Sequence, residues 1–466
     1  MTSFLERVEN AIHDSNLQTV LSSTTSRLRQ KRSDGFASLS HPETIRDAAR
    51  QAKMEVLANL DKYLLDFEEQ LIKHNVNVHW AENGADANEI VVNIAKNADV
   101  KHIVKSKSMV TEEIHLNRAL EENGLQVRET DLGEYIVQLA GDQPSHIVMP
   151  IIHMNSAGVG KLMQEKLDAE YSDDPQQLAR IARKTLREEF QQADMGITGA
   201  NFGVAETGTI CVVTNEGNAR MVTTLPRIHV VIMGIEKLVP SLSELDTMLK
   251  LLARSATGQK LTVYTSLFHG PRQAGETDGP EEMHVILLDN GRSQALSGDA
   301  AEILACIRCG ACLNACPVFA AIGGHAYGTT YPGPVGKVVT PALRGIRPWH
   351  ELPSASTLCG ACRDICPLRL DIPRMLLSLR RTAIEISSPA PLTVAMKLFS
   401  FFATKPKFYH LAASFIRKSL TPFTKNRWIK KGPPPLKGWT LHRDFPQLHK
   451  MTFQKRWMQR HEKNKS

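Results

Sequence analysis

Apolar residues recur at steps of three and four near the end of the first 75 positions. Leu57, Leu60, Leu64, Phe67 and Leu71 form one stripe, the pattern of a helix buried along one face. Residues 1–75 therefore read as a helical N-terminal region packed on the next domain. Between 76 and 293 the pattern changes. Short β-branched runs (Ile90-Val91-Val92, His146-Ile147-Val148-Met149, Ile210-Cys211-Val212-Val213 and His229-Val230-Val231-Ile232-Met233) alternate with helical stretches. That alternation predicts an α/β domain with at least some parallel strands. Residues 203–218 read as strands joined by tight glycine turns, and Gly158-Val159-Gly160-Lys161 reads as a plain turn. A polar, glycine-rich stretch at 270–280 precedes a last strand at 285–288. Residues 297–385 hold most of the cysteines. Residues 386–466 form a basic, aromatic tail, in which 392–416 is rich in Phe, Leu and Ala and Gly432-Pro433-Pro434-Pro435 breaks the chain.

Composition narrows the class. The chain has 466 residues, 42% apolar and 23% charged, as expected of a globular protein of about three domains. It has no uninterrupted apolar run of about 18 residues, the length that predicts a spanning helix. The acidic start of the chain lacks the apolar core of a signal peptide, so a cytoplasmic location is expected. Charge is unevenly distributed. From Lys397 onward there are 17 Lys/Arg against Asp444 and Glu462, a net +15, so the preceding residues carry −8 of the overall +7. Such a tail suits an anionic partner. Aromatic residues beside concentrated positive charge suggest peripheral contact with the inner face of the membrane, or docking on an acidic protein, more than nucleic acid.

Seven of the eight cysteines lie between Cys306 and Cys366; Cys211 stands apart in an apolar strand and reads as core. Clustered cysteines in a reducing compartment are metal ligands more often than disulfides. Cys306-Ile307-Arg308-Cys309-Gly310-Ala311-Cys312-Leu313-Asn314-Ala315-Cys316-Pro317 has the C-x2-C-x2-C-x3-C-P spacing of bacterial iron–sulfur ferredoxins. Three thiolates two residues apart can reach three corners of one cubane, while the fourth points toward a second cluster. Zinc sites use separated C-x2-C pairs instead. A second run, Cys359-Gly360-Ala361-Cys362-Arg363-Asp364-Ile365-Cys366-Pro367, repeats the first, with Ser356 where its first cysteine would be. By the crossover rule Cys306, Cys309, Cys312 and Cys366 hold cluster 1, and Cys316, Cys359 and Cys362 hold cluster 2. Cluster 2 is either a [4Fe-4S] centre completed by Ser356 or another ligand, or a [3Fe-4S] centre. The glycine-rich insert between the runs contains His325 and Tyr331, which read as solvated loop residues rather than cluster neighbours. The chain carries no G-x-G-x-x-G after a strand, no phosphate loop and no H-E-x-x-H, so nothing marks a flavin, nicotinamide or nucleotide site.

Several long strings identify a family. Lys105-Ser106-Lys107-Ser108-Met109, Thr130-Asp131-Leu132-Gly133-Glu134-Tyr135, Gly196-Ile197-Thr198-Gly199, Ala205-Glu206-Thr207-Gly208, Thr214-Asn215-Glu216-Gly217-Asn218-Ala219-Arg220-Met221, the Gly323-Gly324-His325 loop and both cysteine runs resemble the lactate utilization protein B family. This family supplies the iron–sulfur subunit of the bacterial three-component L-lactate oxidation system. The likeness spans nearly the whole chain and is weakest in the tail; some relatives have cysteine at the position of Ser356. The resemblance implies an α/β domain similar to the sugar-phosphate isomerase and CoA-transferase fold, followed by a mainly helical two-cluster ferredoxin-like domain. It also implies two sister proteins, one cysteine-rich and heterodisulfide-reductase-like, the other a second lactate-utilization-domain protein. Electrons from L-lactate oxidation to pyruvate would pass through this subunit to a downstream acceptor, with the subunit itself non-catalytic or co-catalytic. The alternative is a stand-alone transferase or isomerase with redox-sensing clusters, for which Glu206 is the candidate acyl-chemistry residue. Lys105 to Ser108 reads as a strand-to-helix junction with Ser108 or Thr111 as cap, either carrying two solvated lysines or binding an anion through its free amides with charge from Lys105 and Lys107, the first reading slightly favoured. Asp131, Glu134, Asn215, Glu216 and Arg220 are candidates for one cleft.

Overall fold

A computed structural model describes residues 3–387, 390–434, 436–441, 443–449 and 451–463. The chain divides into two compact units, 1–386 and 387–466. In the first, four helices lead in: Phe4–His13, Ser15–Ala37, Pro42–Ala58 and Leu60–Lys73. The predicted stripe is real: Leu57, Leu60, Leu64, Phe67 and Leu71 are all buried.

The α/β domain comes next. Its ten strands are β1 (Asn77–Ala81), β2 (His102–Lys105), β3 (Gln126–Glu129), β4 (Met195–Gly199), β5 (Phe202–Val204), β6 (Thr209–Thr214), β7 (Ile228–Gly234), β8 (Leu238–Val239), β9 (Tyr264–Phe268) and β10 (Glu282–Leu288). Six form one sheet in the order β1-β10-β7-β4-β2-β3, parallel throughout. Strands buried on both faces should be continuously apolar, and β7 and β10 are buried over almost their whole length. A smaller sheet, β8-β5-β6-β9, grows from the end of β4. From β2 the chain moves outward to β3, then returns to β4 on the other side of β2. The ends of β2 and β4 therefore flank a topological switch point, where open parallel sheets form their ligand crevice.

Three expectations need correction. Ile90-Val91-Val92 lies in the helix Gly84–Asn97, not a strand. Asn83 caps that helix by accepting from the amides of Ala85 and Asp86, and Ala87, Val91 and Ala95 share its buried face. His146-Ile147-Val148-Met149 is a loop in which His146 Nδ1 accepts from the amides of Val148 and Met149, both at 3.1 Å, so the backbone groups turn inward instead of joining a ladder. Gly158-Val159-Gly160-Lys161 is in the helix Ser156–Leu167; a Cβ on Gly160 would strike the carbonyl oxygen of Ser172, so the glycine serves close packing.

The cysteine-bearing segment is built from short helices and packs into the first unit through one continuous apolar core. That core joins Leu21 and Ala49 of the lead-in helices, Phe202 and Cys211 of the small sheet, and Ile303, Cys312, Phe319 and Met375 of the cysteine segment. Cys211 is fully buried as expected, and burial pushes its thiol up to about 12. In the second unit, the helices Ala390–Ala403 and Pro406–Leu420 leave Phe399, Phe408, Leu411 and Phe415 exposed. Among the described residues no helix is long and apolar enough to cross a membrane.

Candidate functional site

The two cysteine runs fold alike. In the first, Arg308 (φ 58°) and Gly310 (φ 74°) take left-handed backbone conformations before the helix Ala311–Ala315; in the second, Leu358 (φ 54°) and Gly360 (φ 86°) do the same before Ala361–Ile365. The matched positive φ values curl each run so that successive thiols turn toward one side. The correspondence extends to Ser356. Cys306 Sγ accepts from the amide of Arg308 at 3.4 Å, and Ser356 Oγ accepts from the amide of Leu358 at 3.2 Å, so Ser356 has the local geometry of the first cysteine.

Charge coupling sorts the thiols. Burial, then Cys306 and Cys366, pushes Cys309 up to about 12; burial, then Cys306, pushes Cys366 up to about 11. For Cys362, also up to about 11, burial leads and Cys316 and Cys359 add to it. Cys312 feels Cys306, Cys309 and Cys366 before Cys362. Cys309, Cys312, Cys316 and Cys366 are buried, Cys306 and Cys362 half-buried, and Cys359 exposed, its thiol pKa lowered first by the amide of Ala361. The buried thiols, which resist carrying charge alone, suit a cationic iron core. Donors are waiting beside them. Lys337 Nζ, fully buried, lies 3.7 Å from Cys316 Sγ. The Tyr327 hydroxyl, buried near Cys316 and Cys312, has no hydrogen-bond partner among the described residues. Such donors around soft anionic ligands fit iron–sulfur clusters, whose sulfurs accept such bonds.

A cavity of about 560 Å³ opens at the switch point and reaches the first cysteine run. Its walls include Ser106, Lys107 and Ser108 after β2, Asp131 to Gly133 after β3, Gly199 to Asn201 after β4, Asn215 and Glu216 after β6, and Lys237, Arg308, Cys309 and Tyr331. Ser108 caps the helix Met109–Glu113, accepting from the amide of Thr111. Lys105 is not solvated. It is fully buried and pairs with Glu129 at 2.5 Å, because the parallel register of β2 and β3 sets these two residues side by side. Burial alone would lower its ammonium pKa, but Glu129 and Glu112 raise it. Lys107 pairs with buried Glu134 at 3.4 Å. Burial pushes the Glu216 carboxyl up to about 7, with Asp131 adding to the shift, although the amide of Leu132 donates to it at 3.1 Å.

Of the cleft candidates, Asp131, Asn215 and Glu216 line the cavity; Glu134 and Arg220 do not. Glu206 is exposed in the turn between β5 and β6 and is absent from the cavity wall. Tyr331 is buried, contrary to its reading as solvated. Its hydroxyl donates to Glu113 at 2.7 Å, and the Arg308 guanidinium lies 5.1 Å from its ring centroid. His325 is partly exposed and near Asp142 and His153 rather than the cysteines.

Sequence reasoning missed the network that joins the two halves of the first unit. Arg292, fully buried, donates to both carboxylate oxygens of Glu113 at 3.0 Å and to Glu236 at 2.6 Å. Burial favours protonating both acids, but Arg292 holds Glu113 low and brings Glu236 to about 2. Since Glu113 also binds Tyr331, the network ties the α/β domain to the insert between the cysteine runs. Its members lie up to 218 residues apart, and no local pattern signals them.

An α/β domain with a switch-point cavity, fused to a helical segment carrying two matched cysteine runs, defines an iron–sulfur protein with an additional α/β domain. Family comparison agrees: the LUD domain matches residues 64–288, a 4Fe-4S dicluster domain matches 302–370, and the C-terminal domain of lactate utilisation protein B matches 387–462. Lactate utilization protein B 2 of Bacillus mycoides is 44% identical over 99% of this chain and 97% of its own length. Lactate utilization protein B of Bacillus velezensis is 43% identical over 99% and 98%. The chain belongs to the lactate utilization protein B family, and its cofactors are iron–sulfur clusters of the [4Fe-4S] type. The match at 387–462 extends the likeness through the tail, where the sequence strings were weakest. Among solved structures, a DUF162 family protein from Deinococcus radiodurans aligns with 49% of this chain and 98% of its own, at 13% identity and a TM-score of 0.28.

Proposed function

We propose that this chain is the electron-transfer subunit of an L-lactate oxidation complex, passing electrons from the oxidation of lactate to pyruvate toward a downstream acceptor. The observation that carries the reading is the pair of matched cysteine runs, Cys306 to Cys316 and Cys359 to Cys366, folded alike in the first unit, in a chain 44% identical to lactate utilization protein B 2 of Bacillus mycoides. Cys306, Cys309, Cys312 and Cys366 hold cluster 1; Cys316, Cys359 and Cys362 hold cluster 2, with Ser356 at its fourth corner. Bound clusters supply one-electron carriers. The protein would surround cluster 1 with buried side chains, leave cluster 2 more open at exposed Cys359, and donate to cluster sulfurs through Tyr327 and Lys337.

The α/β domain, on this reading, has the sugar-phosphate isomerase and CoA-transferase type of fold. The partners are the cysteine-rich, heterodisulfide-reductase-like protein and the second lactate-utilization-domain protein. The subunit works in the cytoplasm, and its basic C-terminal unit, with exposed Phe399, Phe408 and Phe415, docks on an acidic face of a sister subunit. Flotation with anionic liposomes would expose the competing occupant, the inner membrane face.

Anaerobically purified protein, assayed alone and with both sister proteins, tests the proposal. Alone it should turn over no lactate; together the three should reduce an artificial acceptor, and Cys362→Ser should abolish that transfer. Turnover by this chain alone, without an acceptor, would instead support the transferase or isomerase reading.

A further inference from the structure

Strings of sequence far apart in the chain meet at the cavity, and its charges are unequal in how they are satisfied. Lys107 Nζ, also in the wall, stands 3.4 Å from Glu134 and is buried without a hydrogen-bond partner among the described residues. Deeper in, Arg292 occupies one oxygen of Glu236, while Arg308 stands 3.7 Å from the other, beyond hydrogen-bond reach. Arg308 has a side chain only 7% exposed and both terminal nitrogens unbonded. Lys237 is also buried and lines the cavity. In this inner group four cationic side chains (Arg292, Arg308, Lys237 and Lys53, the last donating to the backbone carbonyls of Glu236 and Leu238) face two carboxylates (Glu113 and Glu236). Buried cations without hydrogen-bonded counter-charge are costly. The thiolate of Cys306 shares them on one side. On the other side lies an open space of about 560 Å³, within the range of small-molecule sites, at the switch point where parallel sheets bind ligands.

We infer that this cavity is a binding site for a small organic carboxylate, seated on Lys237 and Arg308 against the wall formed by Cys309. The inference rests on the proposed function for its choice of carboxylate and adds to it a site in this subunit, so that the substrate or product of the complex lies next to cluster 1. The wall sets these guanidinium and ammonium groups beside apolar Val148, Val213 and Leu252, which suits an anion with a short carbon skeleton, and Asp131 and Glu216 in the same wall would have to stay clear of its carboxylate.

The test uses the full-length holoprotein, prepared without its partners, and titrates it with L-lactate, pyruvate and inorganic phosphate at constant ionic strength. Binding is followed by calorimetry and by the electron paramagnetic resonance spectrum of reduced cluster 1, one of whose proposed ligands forms the cavity wall. Saturable binding of L-lactate or pyruvate that perturbs that spectrum is expected. Lys237→Gln should weaken it by at least about tenfold. Ala256→Trp, which fills the cavity from the helix Leu242–Ala256 without changing charge, should weaken it as well. No saturable binding of either carboxylate, binding untouched by both substitutions, or phosphate binding as tightly as the carboxylates would overturn the assignment. If the assembled complex still passes lactate electrons into the clusters while this chain alone binds no carboxylate, the site is wrong and the electron-transfer role stands. Carboxylate binding without electron delivery in the complex would separate the two in the opposite sense.

Discussion

Replacing Lys337 by methionine removes a buried positive charge while nearly keeping side-chain length. The ammonium lies 3.7 Å from Cys316 Sγ and 5.5 Å from the Tyr327 ring centroid, and its anionic neighbours are, in order, Cys316, Cys362 and Cys312. An electron arriving on cluster 2 spreads over a core a few ångströms beyond the thiolate, so a separation of about 7 Å is a fair measure. At an effective dielectric constant of about 20 the attraction is about 2.4 kcal/mol, equivalent to about 100 mV for a one-electron couple. Lys337→Met should lower the midpoint potential of cluster 2 by roughly that amount, move cluster 1 less, and leave iron content unchanged. Lys337→Arg should restore most of the loss. Redox titration followed by electron paramagnetic resonance reads both potentials in one sample. A larger shift at cluster 1, or shifts under about 30 mV at both, would refute the assignment of Lys337 as the charge that tunes cluster 2.

The same geometry has other consequences. Cys316→Ser should remove most of cluster 2, and Cys366→Ser most of cluster 1, as read by iron, acid-labile sulfide and spectroscopy; the same cluster lost in both variants would overturn the crossover assignment. Ser356→Cys, whose hydrogen-bonding geometry already matches Cys306, should yield an all-cysteine [4Fe-4S] cluster 2 with altered resonance and a higher potential, because a thiolate stabilises the oxidised cluster less than an alkoxide, whereas an unchanged spectrum would place the fourth corner elsewhere. Arg292→Met leaves Glu113 and Glu236 buried without their cation and should cost about 3–5 kcal/mol of stability in chemical unfolding. Because the folded protein raises Glu216 to about 7, its protonated form favours folding. That contribution is complete below the unfolded value near 4.5 and is lost as pH rises through about 7. Relative to Glu216→Gln, the wild type should lose thermal stability between pH 5 and pH 8, about the window this shift spans; a parallel pH profile for the two would contradict it.

The cluster chemistry was legible in the sequence because ferredoxin ligation is local: spacings of two and three residues around turn glycines set the geometry, and Ser356 showed as a gap in an otherwise repeated run. The α/β class was legible for the same reason, through β-branched runs such as Ile232 and its neighbours in β7. What escaped depends on partners distant in sequence. Lys105 read as solvated until the β2–β3 register placed Glu129 beside it. Tyr331 read as a loop residue until Glu113 and Arg308 enclosed it. Ile90-Val91-Val92 has strand-like residues but helical placement, since the spacing of Ala87, Val91 and Ala95 and the Asn83 cap outweigh β-branching. Glu206 resembled an acyl-transfer residue by its string alone, and the fold leaves it on an exposed turn outside the cavity.

The central claim is that lactate electrons reach the clusters of this subunit through its partners. Anaerobic mixing of the oxidised holoprotein with both sister proteins and L-lactate, while the visible absorption of its clusters is followed, tests that claim most directly. Bleaching should occur only when all three proteins and L-lactate are present, accompanied by pyruvate at one molecule per two electrons taken up. Pyruvate formed with no bleaching of these clusters would contradict it.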